Sequence, residues 1–304
     1  MASWIWTARA TPPFEARGTA VALPERTPDE ASRGTMTIVC GTDFSERAAQ
    51  AARAAGAIAR RLAMPLWLVH VVDEIGAELA MRDVYDPVFE PQRAKLQRQA
   101  DELRADAGIE VEPILLLGIA HQQLVEVARS AHARLLVVSM FGAESPRHWL
   151  PGSVAERVAQ SSPVPVLAVR DVSSLEAWAR GDRPLRILVG VELAPTSRAA
   201  LRWAAELRAR GGCELTIAQV AWPPVEHSRL GIPSPMPLDH LVSEVQEILE
   251  RDLRSWAGAF PGEGEARFVV SPGWGRLDTR LADLAAEAKA DLLVVGTHRR
   301  AGLA

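Results

Sequence analysis

The chain alternates between two rhythms of apolar and polar positions. Residues 37–41, TIVCG, form a short apolar run that ends in a turn from Gly41 to Ser45. An alanine-rich amphipathic stretch follows, and then a second apolar run, LWLVHVV, at 66–72. Short apolar runs bounded by turn residues predict buried strands, and the longer period predicts a helix, so this segment reads strand, helix, strand. The rhythm continues with VEPILLLG as a third strand, AHQQLVEVARSAHA as a helix and RLLVVS as a fourth strand. GSVAERVAQSS then predicts a short helix and PVPVLAVR, residues 163–170, a fifth strand. Between strands two and three lies a polar, helix-forming stretch whose first half is expected to be irregular because of Pro87 and Pro91.

The order then restarts. RPLRILVGVELAPTSRAALRWAAELRARGGCELTIAQVA repeats strand, turn, helix, strand, and RLDTRLADLAAEAKADLLVVGTHRR repeats the later helix and strand. Leu124, Val127 and Ala128 align with Leu281, Leu284 and Ala285, and RLLVVS aligns with DLLVVG. A repeat of about 150 residues predicts two similar domains, because solenoid units are much shorter. Alternating strands and helices predict parallel sheets covered on both faces, an α/β class with two doubly wound domains in tandem. The expected boundaries are 1–35 for a flexible arm, 36–171 for the first domain, 172–183 for a linker and 184–304 for the second domain. The second domain is expected to lack its last helix and strand and to expose an apolar edge at DLLVVG. A truncated or frameshifted product, or cover from another chain, would account for this. WPPVEHSRLGIPSPMPL, residues 222–238, reads as a lid-like surface loop.

Composition narrows the function classes. A chain of 304 residues that is 48% hydrophobic can bury two cores. A formal net charge of -4 gives no bulk attraction for nucleic acid. No apolar run is long enough to span a membrane. The two cysteines, Cys40 and Cys213, sit in or beside strand-like runs and read as reduced core thiols in a cytoplasmic protein. The first 35 residues have no sustained period, and translation starting at Met36 instead of Met1 would explain this. His70 lies within a strand and reads as packed there, the other six histidines show no metal-ligand spacing, and no nucleophile motif or acid–base pair can be located.

Candidate chemistry concentrates in two places, both at strand carboxyl ends, where doubly wound sheets bind ligands. One is the Gly41 to Ser45 turn. The other is the loop that runs from Ser139 through Gly142 to Gly152 and Ser153, just before a helix. Glycine backbone and a helix amino terminus suit phosphate. Ser153 and Glu156 also fit a capping box, so the loop can be read either as a phosphate cradle or as a plain helix start.

GTDFSERA, LVHVVDE, GIAHQQLVEVA and the S-x2-G-x9-G-S spacing, in this order, closely resemble the universal stress protein family, in a tandem form with an incomplete second domain. The resemblance implies adenine-nucleotide α-hydrolase-like domains with a flavodoxin-like strand order. It also implies ATP, with or without magnesium, in the first domain. Asp43 would help hold the nucleoside, the Val71 backbone would face adenine, Gly142, Gly152, Ser153 and Val154 would hold ribose and phosphates, and Gly41, Thr42, Val138, Ser139 and Phe141 would complete the nucleotide-binding site. Two residues depart from the family's ATP-binding pattern: Ser139 replaces its first glycine, and Glu144 adds a negative charge that Arg147 and His148 could offset. In the second copy Glu192 replaces the aspartate and Arg299 the second glycine, so no nucleotide is expected there. The implied function is a non-enzymatic, cytoplasmic regulatory module, at most a weak ATPase, with unidentified protein partners and no nucleic-acid or membrane partner. A nucleotide-free interaction protein acting through dimerisation is the alternative. Residues 163–170 are expected to pair with a second chain as a homodimer.

Overall fold

The computed structural model describes residues 3–7, 36–72, 85–142, 152–231, 241–259, 262–273 and 276–296. The chain divides into two compact units: Ala8–Arg180 belongs to the first, and Met1–Thr7 joins Gly181–His298 in the second. Its first element is strand β1 (Ser3–Thr7), which belongs to the second unit.

The first unit begins with β2 (Ile38–Gly41), α1 (Glu46–Leu62), β3 (Leu66–Val72), α2 (Tyr85–Ala107) and β4 (Val111–Leu117). It continues with α3 (Ala120–Ser130), β5 (Leu135–Ser139), α4 (Ser153–Ser161), β6 (Val166–Val169) and α5 (Ser173–Arg180). Its strands are all parallel, in the order β4-β3-β2-β5-β6. Helix α1 starts where Ser45 accepts a bond from the Ala48 amide at 3.1 Å, and it stops at Ala63 in the left-handed region. Ala51, Ala52, Ala54 and Ala55 along α1 are fully buried, so the helix backbone lies close to its neighbours. Val39, Leu136, Leu124 and Val127 share one core, which joins the sheet to α3.

The second unit contains β7 (Leu185–Val191), α6 (Pro195–Arg210), β8 (Cys213–Ala221) and α7 (Pro223–Arg229). It ends with α8 (Ser243–Ala257), β9 (Ala266–Pro272), α9 (Leu277–Glu287) and β10 (Leu292–Gly296). The strand order within this unit is β9-β8-β7-β10-β1, again parallel. Asp291, just before β10, is almost fully buried and accepts from Arg183 at 2.8 and 3.0 Å and from the Arg186 amide at 2.9 Å. That ion cluster ties β10 to the start of β7.

The doubly wound α/β class holds in both units. In the first unit the strand order along the chain is 3-2-1-4-5, the first part of the 3-2-1-4-5-6 arrangement and not the flavodoxin-like 2-1-3-4-5, and in the second unit the same places are filled with β1 in the fifth. Four other expectations change. Ser3–Thr7 is a strand paired with β10 and not part of a flexible arm, so the second unit has a fifth strand after all. This removes the reason given above for recruiting a second chain. Residues 8–35 lie outside the described residues. The expected linker is largely helix α5, with Leu175, Trp178 and Ala179 buried. Helix α2 begins before both prolines: Pro87 falls in the first turn, where an amide has no helical partner, and Pro91 costs one internal bond. The expected lid-like loop starts as helix α7, with Pro223 and Pro224 in its first turn; 232–240 lie outside the described residues.

Candidate functional site

The first unit's sheet reverses direction of winding between β2 and β5, and their carboxyl ends part to leave a cleft. The turn after β2 builds one wall. Thr42 is buried, its amide donates to Val69 O at 2.9 Å and its hydroxyl to Gln99 Oε1 at 2.9 Å. Phe44 has φ of 63°, a left-handed backbone, and its amide donates to Thr42 Oγ1 at 3.1 Å. Asp43 Oδ1 accepts from the Ser45 amide at 3.0 Å, which fixes the turn, while Ser45 caps α1. The carboxylate of Asp43 is exposed on the cleft wall.

The loop after β5 builds the opposite wall. Ser139 Oγ donates to Phe141 O at 2.9 Å, so the hydroxyl folds back onto its own loop. The Gly152 amide donates to Met140 O at 2.8 Å, and a Cβ at Gly152 would lie 2.9 Å from Gly142 N. Only glycine allows the two arms of the loop to approach so closely. Arg47 reaches across from α1, donating to Gly142 O at 3.1 Å with its guanidinium 5.5 Å from the Phe141 ring centre. Arg170 approaches the same ring at 5.7 Å.

Helix α4 opens into this cleft. Gly152 is its N-cap, and among the described residues no side chain caps it. The capping box expected from Ser153 and Glu156 does not form, because Ser153 is already the first helical residue and is exposed. The helix therefore presents its amino-terminal dipole and amides toward the cleft, an arrangement that favours an anion.

All eleven residues singled out from the sequence line one cleft of about 160 Å³. Gly41, Thr42, Asp43 and Val71 stand on one side, and Val138, Ser139, Phe141, Gly142, Gly152, Ser153 and Val154 on the other. His70 also lines it, although its strand position suggested simple packing. Its Nδ1 lies 2.8 Å from Thr42 O, and a carbonyl only accepts, so the proton sits on Nδ1. Burial lowers the His70 pKa from its ordinary value, against the Thr42 bond and Asp43, which raise it. The ring packs on Phe44 at 4.2 Å. Sequence reasoning also missed Arg47, whose signal is its place at the second position of α1. Cys40, just before Gly41 in β2, is fully buried, and burial pushes its thiol pKa up to about 12. Glu144, Arg147 and His148 lie outside the described residues. Among the described residues no cluster of three or more His, Cys, Asp or Glu could hold a metal.

The corresponding place in the second unit is built differently. Gly296 ends β10 where Ser139 ends β5, but a Cβ there would lie 2.6 Å from the Thr196 carbonyl carbon. The first turn of α6 thus stands directly against the strand end. Glu192 keeps the position of Asp43, its amide bonded to Ser197 Oγ at 3.0 Å. Arg299 lies outside the described residues.

The sequence matches the universal stress protein family over residues 34–170 and 185–304. A universal stress protein of Mycobacterium bovis is 27% identical over 282 residues, covering 88% of each chain. The crystal structure of a universal stress protein from Archaeoglobus fulgidus superposes with a TM-score of 0.60, at 19% identity, over 86% of this chain and 87% of that one. A universal stress protein solved in complex with cAMP is 31% identical, covering 45% of this chain and 97% of that one, with a TM-score of 0.38. No helix among the described residues is long and apolar enough to cross a membrane. The chain belongs to the universal stress protein family and carries that family's domain twice in tandem.

Proposed function

We propose that the first unit binds an adenine nucleotide, ATP in the first instance, as a regulatory ligand. The observation that carries this reading is the start of α4. Among the described residues its amides have no side-chain cap, and they open onto a cleft walled by the Gly41–Ser45 turn and by the close-packed backbones of Gly142 and Gly152. Such a place neutralises phosphate with backbone donors and a helix dipole. The deeper part, lined by Val69, Val71, Leu124 and Val138, is apolar and suits a base. Asp43 offers a carboxylate to ribose hydroxyls from the rim. Magnesium, where present, arrives with the phosphates. Nucleotide bound here bridges the Gly41 turn and the Phe141 loop, so its affinity for the bridged arrangement sets what surface the protein presents to a partner.

Ser153→Asp tests the site. An acidic residue in the first turn of a helix favours the helix itself, so the fold is expected to hold. The same charge opposes phosphate. Calorimetry with AMP, ADP and ATP is expected to show binding to the wild type, weakened at least tenfold, about 1.4 kcal/mol, in the variant. Mass spectrometry of the denatured protein should release the nucleotide that copurifies. Absence of binding by the wild type would overturn the reading, and equal affinity in the variant would overturn the placement of the phosphates at α4.

A further inference from the structure

The two units share a strand plan but not the side chains that fill it. In the first unit Val39 pairs with Trp67 on one side and Leu136 on the other. In the second unit Leu188 pairs with Thr216 on one side and Leu293 on the other. RLLVVS aligns with DLLVVG, so Leu136 and Leu293 correspond, and Thr216 stands where the first unit has Trp67. Trp67 packs against the core that holds Val127, Ala131 and Ala133. Their counterparts Leu284, Ala288 and Ala290 are present in the second unit, but a threonine is too short to replace a fused ring.

A cavity of about 200 Å³ lies there. Thr216 and Val269 line it from the sheet, and Leu284, Ala288 and Ala290 from α9 and the turn after it. Leu284 and Ala290 are buried, whereas Glu214, Arg267 and Glu287 are exposed at its mouth. Cavities that take drug-sized ligands measure roughly 300–1,000 Å³, so this one suits a single small ring system. It borders the beginnings of β7, β8 and β9, the opposite end of the sheet from the carboxyl ends where the nucleotide cleft forms in the first unit.

The charges around the mouth are unequally matched. Arg267 donates to Glu265 at 2.7 Å, Arg186 pairs with Asp291 at 3.3 Å, and Glu287 accepts from Arg280 at 2.9 Å. The Glu214 carboxylate has no hydrogen bond or ion pair among the described residues, and Arg183 and Arg267 act on it at longer range. The carboxyl end of α9 adds negative potential beside it. In the first unit the corresponding residue is Pro65, so the carboxylate is as particular to the second unit as the cavity is.

We propose that this cavity binds a small organic cation: one flat aromatic ring system, seated where the first unit places Trp67, with an ammonium group paired to Glu214. The site is separate from the nucleotide cleft and does not depend on it.

Tryptamine, an indole with an ammonium tail, is the probe, and indolepropionate, the same ring with a carboxylate tail, is its control. Backbone amide spectra of the full-length protein are followed at Thr216, Val269 and Ala288. Tryptamine is expected to shift these signals to saturation, and indolepropionate to bind at least about tenfold more weakly. Glu214→Gln changes an exposed side chain, so it is expected to keep the fold and to remove that preference. Thr216→Trp is expected to fill the cavity from within, raise the melting temperature and abolish tryptamine binding. Signals unmoved by tryptamine, equal affinity for the two probes in the wild type, or a preference that survives Glu214→Gln would overturn the site. A melting temperature lowered by Thr216→Trp, or loss of the fold, would overturn the ring-shaped cavity.

Discussion

Ser139 shows how one hydroxyl changes the meaning of a glycine motif. Where the family's ATP-binding pattern has bare backbone, this side chain bonds Phe141 O and lies 3.4 Å from the Phe141 amide. It stiffens the loop instead of filling the cleft. Glycine there would leave more backbone freedom to be lost on binding. Ser139→Gly is therefore expected to weaken nucleotide binding by a few-fold, about 0.5–1 kcal/mol, in calorimetry. Tighter binding would show that the serine narrows the site, the consequence that its bulk alone suggests. Gly152 is a poorer probe. Any side chain there would meet the Gly142 backbone, so Gly152→Val confuses loss of ligand with loss of the loop. The residues that line the cleft were legible through the family resemblance of GTDFSERA and S-x2-G-x9-G-S, since the loop by itself reads equally as a plain helix start. Arg47 and His70 were not, because their roles depend on partners 95 and 28 residues away along the chain.

At the scale of elements, α5 carries more than its eight residues suggest. Trp178 is 1% exposed, Arg61 lies 5.4 Å from its ring centre and donates to its carbonyl at 2.6 Å, and Arg53 pairs with Glu176 at 3.1 Å. The helix thus closes the first unit against α1. Trp178→Ala should cost about 3–5 kcal/mol in urea unfolding. Trp178→Phe should cost clearly less, since the indole nitrogen has no hydrogen-bond acceptor among the described residues. A loss below about 1 kcal/mol for the alanine variant would mean that α5 is not part of the unit's core. Strands such as β5 and helices such as α1 were readable because their periods persist over a whole element. A single turn or two of helix, as in α5 and α7, is too short to establish a period. Strand β1 was hidden for another reason: its partner is nearly 300 residues distant, and nothing local distinguishes a strand that completes a remote sheet from a loose end.

For the whole molecule, two copies of one domain do not mean two copies of one site. With the start of α6 set against Gly296 and a glutamate in place of Asp43, the second unit is expected to leave nucleotide unbound. Titration calorimetry should give a stoichiometry of one nucleotide per chain, and a value of two would refute this assignment. The two units nevertheless agree in an unusual detail. Phe44 and Leu193 hold the left-handed backbone at the same turn, with φ of 63° and 55°, and His132 and Lys289 repeat the agreement after α3 and α9, with φ of 47° and 49°. None of the four is glycine, and such a conformation carries a steric cost for each of them. The two units therefore share these costs, although the strand end that borders the cleft in the first unit is packed against the Thr196 backbone in the second. The awkward turns therefore belong to the domain's architecture and recur in both units, whatever each cleft holds.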